Sequence, residues 1–160
     1  MARTARLADA GLQIRSSVPA DAGTIVAFQL RMARETEGLE LDNATLSQGV
    51  AAVFADPGKG AYWIAERGGQ TVGCLLTTFE WSDWRNGVIL WIQSVYIVPE
   101  ERGQGVYRAL YERVRRQVDE SADLRGIRLY VDKRNAGAQR VYERLGMTRE
   151  HYEMFEWLKT

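Results

Sequence analysis

Two glycines in a basic turn are the first residues of this chain that could do chemistry. They lie in the stretch Ile97-Val98-Pro99-Glu100-Glu101-Arg102-Gly103-Gln104-Gly105-Val106-Tyr107. An apolar run stops at Pro99, and a helical apolar pattern starts at Val106. A turn that opens directly into a helix points free backbone N–H groups outward, and the helix adds about half a positive charge at its N-terminus. Gly103 and Gly105 reach backbone angles that other residues avoid, and they put no Cβ in a ligand's way. A diphosphate is the natural guest of such a nest. A strand, a glycine turn and a helix also occur together with no anion bound, so the turn alone does not decide. Two common phosphate patterns are absent: G-x-x-x-x-G-K-[ST], and G-x-G-x-x-G followed by an acid about 20 residues on.

Other reactive side chains are scattered. Trp81, Asp83, Trp84 and Arg85 crowd one polar loop. Exposed tryptophans beside an acid can form a pocket for an ammonium group, or they can anchor the loop over the core. Cys74 sits in a strand pattern with no second cysteine in the chain and reads as a small core residue. His151, the single histidine, reads as structural. No metal site is expected.

The elements that must hold these residues follow from period and punctuation. Leu12 to Ser16 reads as a strand. Pro19 can open a helix whose stripe is Ala22, Ile25, Val26, Leu30 and Ala33. Glu35 to Leu41 reads as an acidic linker. Leu46, Val50, Val53 and Phe54 mark a second helix, stopped by Asp56-Pro57-Gly58. Ala61 to Glu66 and Thr71 to Trp81 read as a hairpin turning at Arg67-Gly68-Gly69-Gln70. Val88 to Val98 is nearly all apolar and reads as a buried central strand. Val106, Leu110, Val114 and Val118 give a helix, and Gly126 to Val131 a strand. Asn135 caps a helix with the stripe Ala138, Val141, Tyr142 and Leu145, closed by Gly146. The tail from Thr148 to Trp157 reads as one or two further strands. This order predicts an α/β (α+β) fold with a mixed sheet between helices.

The chain has 160 residues, ordinary for one domain, with no repeat or linker. Residues 1–11 read as a flexible tail and 12–160 as a single domain. Its formal net charge is +0, which argues against a protein built chiefly to grip nucleic acid. No apolar run approaches the ~20 residues a membrane crossing needs. One cysteine cannot form an internal disulfide, in keeping with a cytoplasmic setting.

With the elements in place, a family resemblance is visible. Arg102-Gly103-Gln104-Gly105-Val106-Tyr107 resembles the (Q/R)-x-x-G-x-(G/A) coenzyme A motif of the GNAT superfamily of N-acetyltransferases. Asn135-x-x-Ala138-x-x-x-Tyr142-x-x-x-Gly146-Met147 resembles that family's second motif, N-x-x-A-x-x-x-Y-x-x-x-G-(F/M). One helix and one strand separate the two, as in the family. The resemblance implies a splayed sheet flanked by helices on both faces, with acetyl-CoA as acyl donor. It implies that backbone groups of Val95, Tyr96 and Ile97 pair with the pantetheine arm. Amides from Arg102 to Tyr107 would hold the diphosphate, and Asn135 the pantetheine or the strand near it. Tyr142 would stand beside the sulfur, where a phenol of pKa ~10 can protonate a thiolate whose thiol has pKa ~8.5. Tyr107 departs from the small final residue of the motif; its ring would either crowd the diphosphate or lie along the helix.

The acceptor implied is a primary amine, expected on a small molecule. Many relatives carry a Glu nine residues before the motif Arg; here Gln93 stands there, followed by Ser94. A glutamine orients a water or a substrate but takes no proton. Candidate bases are then Glu35, Glu37, Glu80 and Asp83. Glu37, Trp81, Asp83 and Trp84 are the candidate acceptor contacts. Another acyl-CoA, another acceptor, or a non-catalytic coenzyme A sensor are the competing readings, and a homodimer through the terminal strands is left open.

Overall fold

The fold is described by a computed structural model over residues 11–159. The tail expected at residues 1–11 lies outside the described residues, apart from Gly11. The described residues fall into two compact units that divide between Arg128 and Leu129.

The first unit is built on a sheet. Its elements are β1 (Leu12–Ser16), α1 (Ala22–Glu37), α2 (Asn43–Ala55), β2 (Ala61–Arg67), β3 (Gln70–Ser82), β4 (Gly87–Ile97), α3 (Val106–Glu120) and β5 (Leu124–Leu129), whose last residue begins the second unit. Short 3-10 turns at Pro19–Asp21 and Pro99–Glu101 lead into α1 and the glycine turn. The strands lie in the order β1-β2-β3-β4-β5, an open mixed sheet. β1 to β4 form an antiparallel series. β5 joins β4 near the start of both strands, where Val88 N donates to Asp123 O at 2.8 Å.

Helices cover both faces. On one, Ile25 and Phe28 of α1 and Val50 of α2 pack with Tyr62, Ile64, Cys74 and Tyr96. On the other, Val106, Leu110 and Val114 of α3 are almost wholly buried, each stabilising by about 1.5–3 kcal/mol. Gly73 lets α3 come this close. A Cβ there would stand 3.0 Å from Tyr96 O and 3.5 Å from a Val106 methyl.

Three expectations are corrected. The acidic stretch expected as linker from Glu35 is helical through Glu37, because the stop signal is Gly38, left-handed at φ +64°. Leu39 N closes the end by donating to Ala33 O. β5 begins at Leu124, two residues before the expected start, and ends at Leu129. Among the described residues from Thr148 onward there is no strand. A strand exists only through its ladder, and none is formed by this segment among the described residues.

The second unit centres on α4 (Ala136–Arg144). Asn135 caps it as expected, its Oδ1 accepting from Ala138 N at 3.0 Å. Ala138, Val141, Tyr142 and Leu145 are half-buried along one stripe.

Candidate active site

β4 carries one residue more than β3 where they pair. Ser94 faces Leu76 and Ile92 faces Thr77, which leaves Gln93 as the bulge. The bulge decides which backbone groups look away from β3. Val98 N donates to Val72 O at 3.0 Å, so by antiparallel alternation Tyr96 also bonds across to Cys74. Val95 and Ile97 therefore turn their N–H and C=O groups to the opposite edge. That edge is the one Val88 uses toward β5. The expectation that Val95, Tyr96 and Ile97 all offer backbone groups to a ligand is corrected to Val95 and Ile97. Tyr96 contributes a buried ring instead, 5.0 Å from that of Phe28.

The turn after β4 has the geometry of an anion nest. Gly103 and Gly105 are left-handed, with φ +72° and +84°. Nothing stands within 4 Å of where a Cβ would project from either. No side chain caps the start of α3, and its first turn holds no acid. The helix's positive end therefore faces an open approach. These features fit the diphosphate of coenzyme A. Tyr107 does not obstruct them through its ring, which stacks on Tyr111 one turn along α3, centroids 6.4 Å apart. Gln104 Nε2 donates to Glu100 O at 2.7 Å, and Arg102 Nε to Ile97 O at 2.9 Å.

A polar patch flanks the bulge. Gln93 Nε2 donates to Thr78 Oγ1 at 2.9 Å. Buried Gln29 of α1 reaches Ser94 Oγ at 3.1 Å. Two of the candidate bases are committed elsewhere. Glu80 accepts from Trp91 Nε1 and from Arg128 Nη1, one on each oxygen. Glu35 accepts from Arg102 Nη2 at 2.6 Å and from the Tyr96 hydroxyl at 3.0 Å. The Arg102 guanidinium holds the Glu35 carboxyl below the usual carboxylate range, which makes it a poorer base.

The expected acceptor residues are not gathered around Gln93. Thr78 and Glu80 share a face of β3, so Trp81 points to the other. Asp83 and Trp84 lie in the β3–β4 turn beyond Gly87, six residues along the strand from Gln93 and so about 20 Å away. Asp83 Oδ1 accepts from Trp84 N there, and the Trp84 ring is exposed. Glu37 is exposed in the last turn of α1. Sequence reasoning overlooked Gln29, Thr78 and Gly73, none of which carries a local signal. Cys74 matches its reading: burial pushes its thiol up to about 12. Among the described residues, no group of His, Cys, Asp or Glu is placed to hold a metal. No described helix is long and apolar enough to cross a membrane.

A five-stranded open mixed sheet with a bulged β4 leading into a glycine turn is the arrangement that the sequence resemblance implied. The chain belongs to the acetyltransferase (GNAT) family, whose model matches residues 27–147. A possible acetyltransferase from Clostridium difficile 630 is 40% identical, with a TM-score of 0.86, covering 93% of this chain and 98% of that one. A mycothiol acetyltransferase from Thermobispora bispora is 37% identical over 94 residues, 55% of this chain and 30% of the relative. The chain thus spans less than a third of that relative's length. An aminoglycoside N-acetyltransferase in complex with CoA shares the fold at a TM-score of 0.76 and 14% identity, covering 93% of this chain and 95% of that one.

Proposed function

We propose that the chain transfers the acetyl group of acetyl-CoA directly to a primary amine of a small molecule. The observation that carries the donor half is the outward edge of Val95 and Ile97 leading into the Gly103–Gly105 nest. Acetyl-CoA, when bound, supplies an activated thioester. Amides from Arg102 to Tyr107 would hold its diphosphate, and the Val95 and Ile97 edge its pantetheine arm. An outward N–H on that edge would polarise the acyl carbonyl. Tyr142, from its place in the second family motif, is the group assigned to protonate the departing sulfur. Asn135, from its place in the same motif, is the group assigned to the pantetheine or the strand near it.

Gln93 takes the position of a base without being one. Its bond to Thr78 orients the carboxamide, which would align the amine or a water beside it. With Glu35 and Glu80 engaged, the proton of the acceptor leaves by water. A relative named for mycothiol supports a small acceptor. The test is a panel of small amines, alcohols and peptide N-termini incubated with acetyl-CoA and competing longer acyl-CoAs. Products should be acetylated amines. Acylated alcohols alone would overturn the acceptor reading, and tight coenzyme A binding with no product would mark a sensor.

A further inference from the structure

Glu35 reaches from the end of α1 to the donor turn, 67 positions away in sequence. Its Oε2 accepts from Arg102 Nη2 at 2.6 Å and its Oε1 from the Tyr96 hydroxyl at 3.0 Å. Arg102 directs its Nε to the Ile97 carbonyl at 2.9 Å, and its guanidinium carbon stands 5.4 Å from the Tyr96 ring centre. A guanidinium beside a diphosphate nest has an evident alternative use, a direct phosphate contact. Here its fork is aimed at a carboxylate and a strand carbonyl.

We propose that Glu35 is a positioning residue for the donor: it holds Arg102 as a clamp on the Ile97 carbonyl and so sets the glycine turn against the β4 edge. Ile97 is the last residue of β4 and Gly103 follows Arg102 directly. The clamp thus spans the junction between the pantetheine edge and the diphosphate nest. The turn is also held by Gln104 Nε2 on Glu100 O at 2.7 Å and by Arg67 Nε on Glu101 Oε2 at 2.9 Å; losing the clamp would leave its two left-handed glycines freer, and ordering them on binding would cost affinity. The inference rests on the donor reading above.

The two uses of Arg102 give opposite signs at Glu35. Coenzyme A is a polyanion, so a carboxylate acting only through its charge opposes binding, and Glu35→Gln would tighten it. As the clamp's partner, Glu35→Gln should instead raise the coenzyme A Kd about three- to tenfold, modest because the pair is half-exposed. Arg102→Lys keeps the charge but loses the fork, and should weaken binding to a similar degree. The double variant should bind no worse than the weaker single one. Calorimetric titration of the whole chain with coenzyme A reads all three, with melting curves to verify folding. Should Glu35→Gln not fold, Glu35→Asp takes its place: it keeps the charge but shortens the reach, so the clamp predicts weaker binding and a charge effect alone predicts none. Unchanged or tighter binding by Glu35→Gln, full retention by Arg102→Lys, or losses that multiply would each overturn the proposal. A parent chain that does not bind coenzyme A would overturn the donor reading itself.

Discussion

Gln93 donates from its side-chain amide to Thr78 Oγ1 at 2.9 Å, at the position where β4 bulges against β3. The bond fixes the amide at the sheet position where many relatives carry a carboxylate. With no carboxylate there, the rate at subsaturating amine should rise steadily with pH towards the amine's own pKa of ~10. Gln93→Ala should lower turnover more than coenzyme A binding, and Gln93→Glu should raise activity near pH 7. A plateau with an apparent pKa of about 6–7, abolished by Glu37→Gln, would mean a dedicated base exists.

Gly105 sits at φ +84° as the N-cap of α3. Gly105→Val should weaken coenzyme A binding more than tenfold, about 1.4 kcal/mol or more, since a β-branched residue resists this angle and projects into the approach. A folded variant that binds like the parent would make the turn merely structural.

Tyr142→Phe should leave acetyl-CoA affinity nearly intact while lowering kcat by about 10²-fold. A loss confined to KM would make Tyr142 a positioning group.

Arg15 joins Asp21 and Glu66, with Asp21 accepting from Arg15 Nη1 at 2.8 Å and from Val18 N at 2.7 Å. Hydrogen bonding from Arg15 holds the Asp21 carboxyl below its usual range, against the opposing effect of burial. A carboxyl whose folded pKa is lowered stabilises the fold fully above its unfolded pKa of ~3.9, and that contribution is lost as pH falls through the folded value. Asp21→Asn should therefore cost about 1–2 kcal/mol at pH 7 and flatten the acid limb of stability. Urea unfolding at pH 7 and below pH 4 checks both; an unchanged acid limb would assign it to other carboxyls.

Gly73 lies under the start of α3, where a Cβ would meet Tyr96 O at 3.0 Å and an Ile97 side-chain carbon at 3.3 Å. Gly73→Val should cost about 1–3 kcal/mol in stability. Unaltered urea unfolding would show that α3 can move out without penalty.

Much of this architecture was legible in the sequence. Leu12–Ser16 matched the expected strand, and the Arg67–Gln70 turn fell where its glycines predicted. The nest could be read because Pro99, Gly103 and Gly105 are local signals for a strand end and a helix start. The bulge could not. Val88 to Val98 is apolar on both faces, so nothing in its period marks where alternation slips, nor that the backbone of Val95 and Ile97, and not of Tyr96, looks away from β3. The Glu35–Arg102 pair bridges two distant segments, and only folding brings them together. The acceptor side was read from aromatic and acidic composition, which does not tell that Trp81 and Gln93 face opposite ways. The tail's apolar residues resembled strands because pattern alone does not supply a pairing partner.

Thermal unfolding in the presence of acetyl-CoA tests the central claim most directly. A ligand at 100 times its Kd adds about 2.7 kcal/mol, so Tm should rise by several degrees in millimolar acetyl-CoA and scale with its concentration. An unchanged Tm across that range would contradict a donor site at the β4 edge and the Gly103–Gly105 nest.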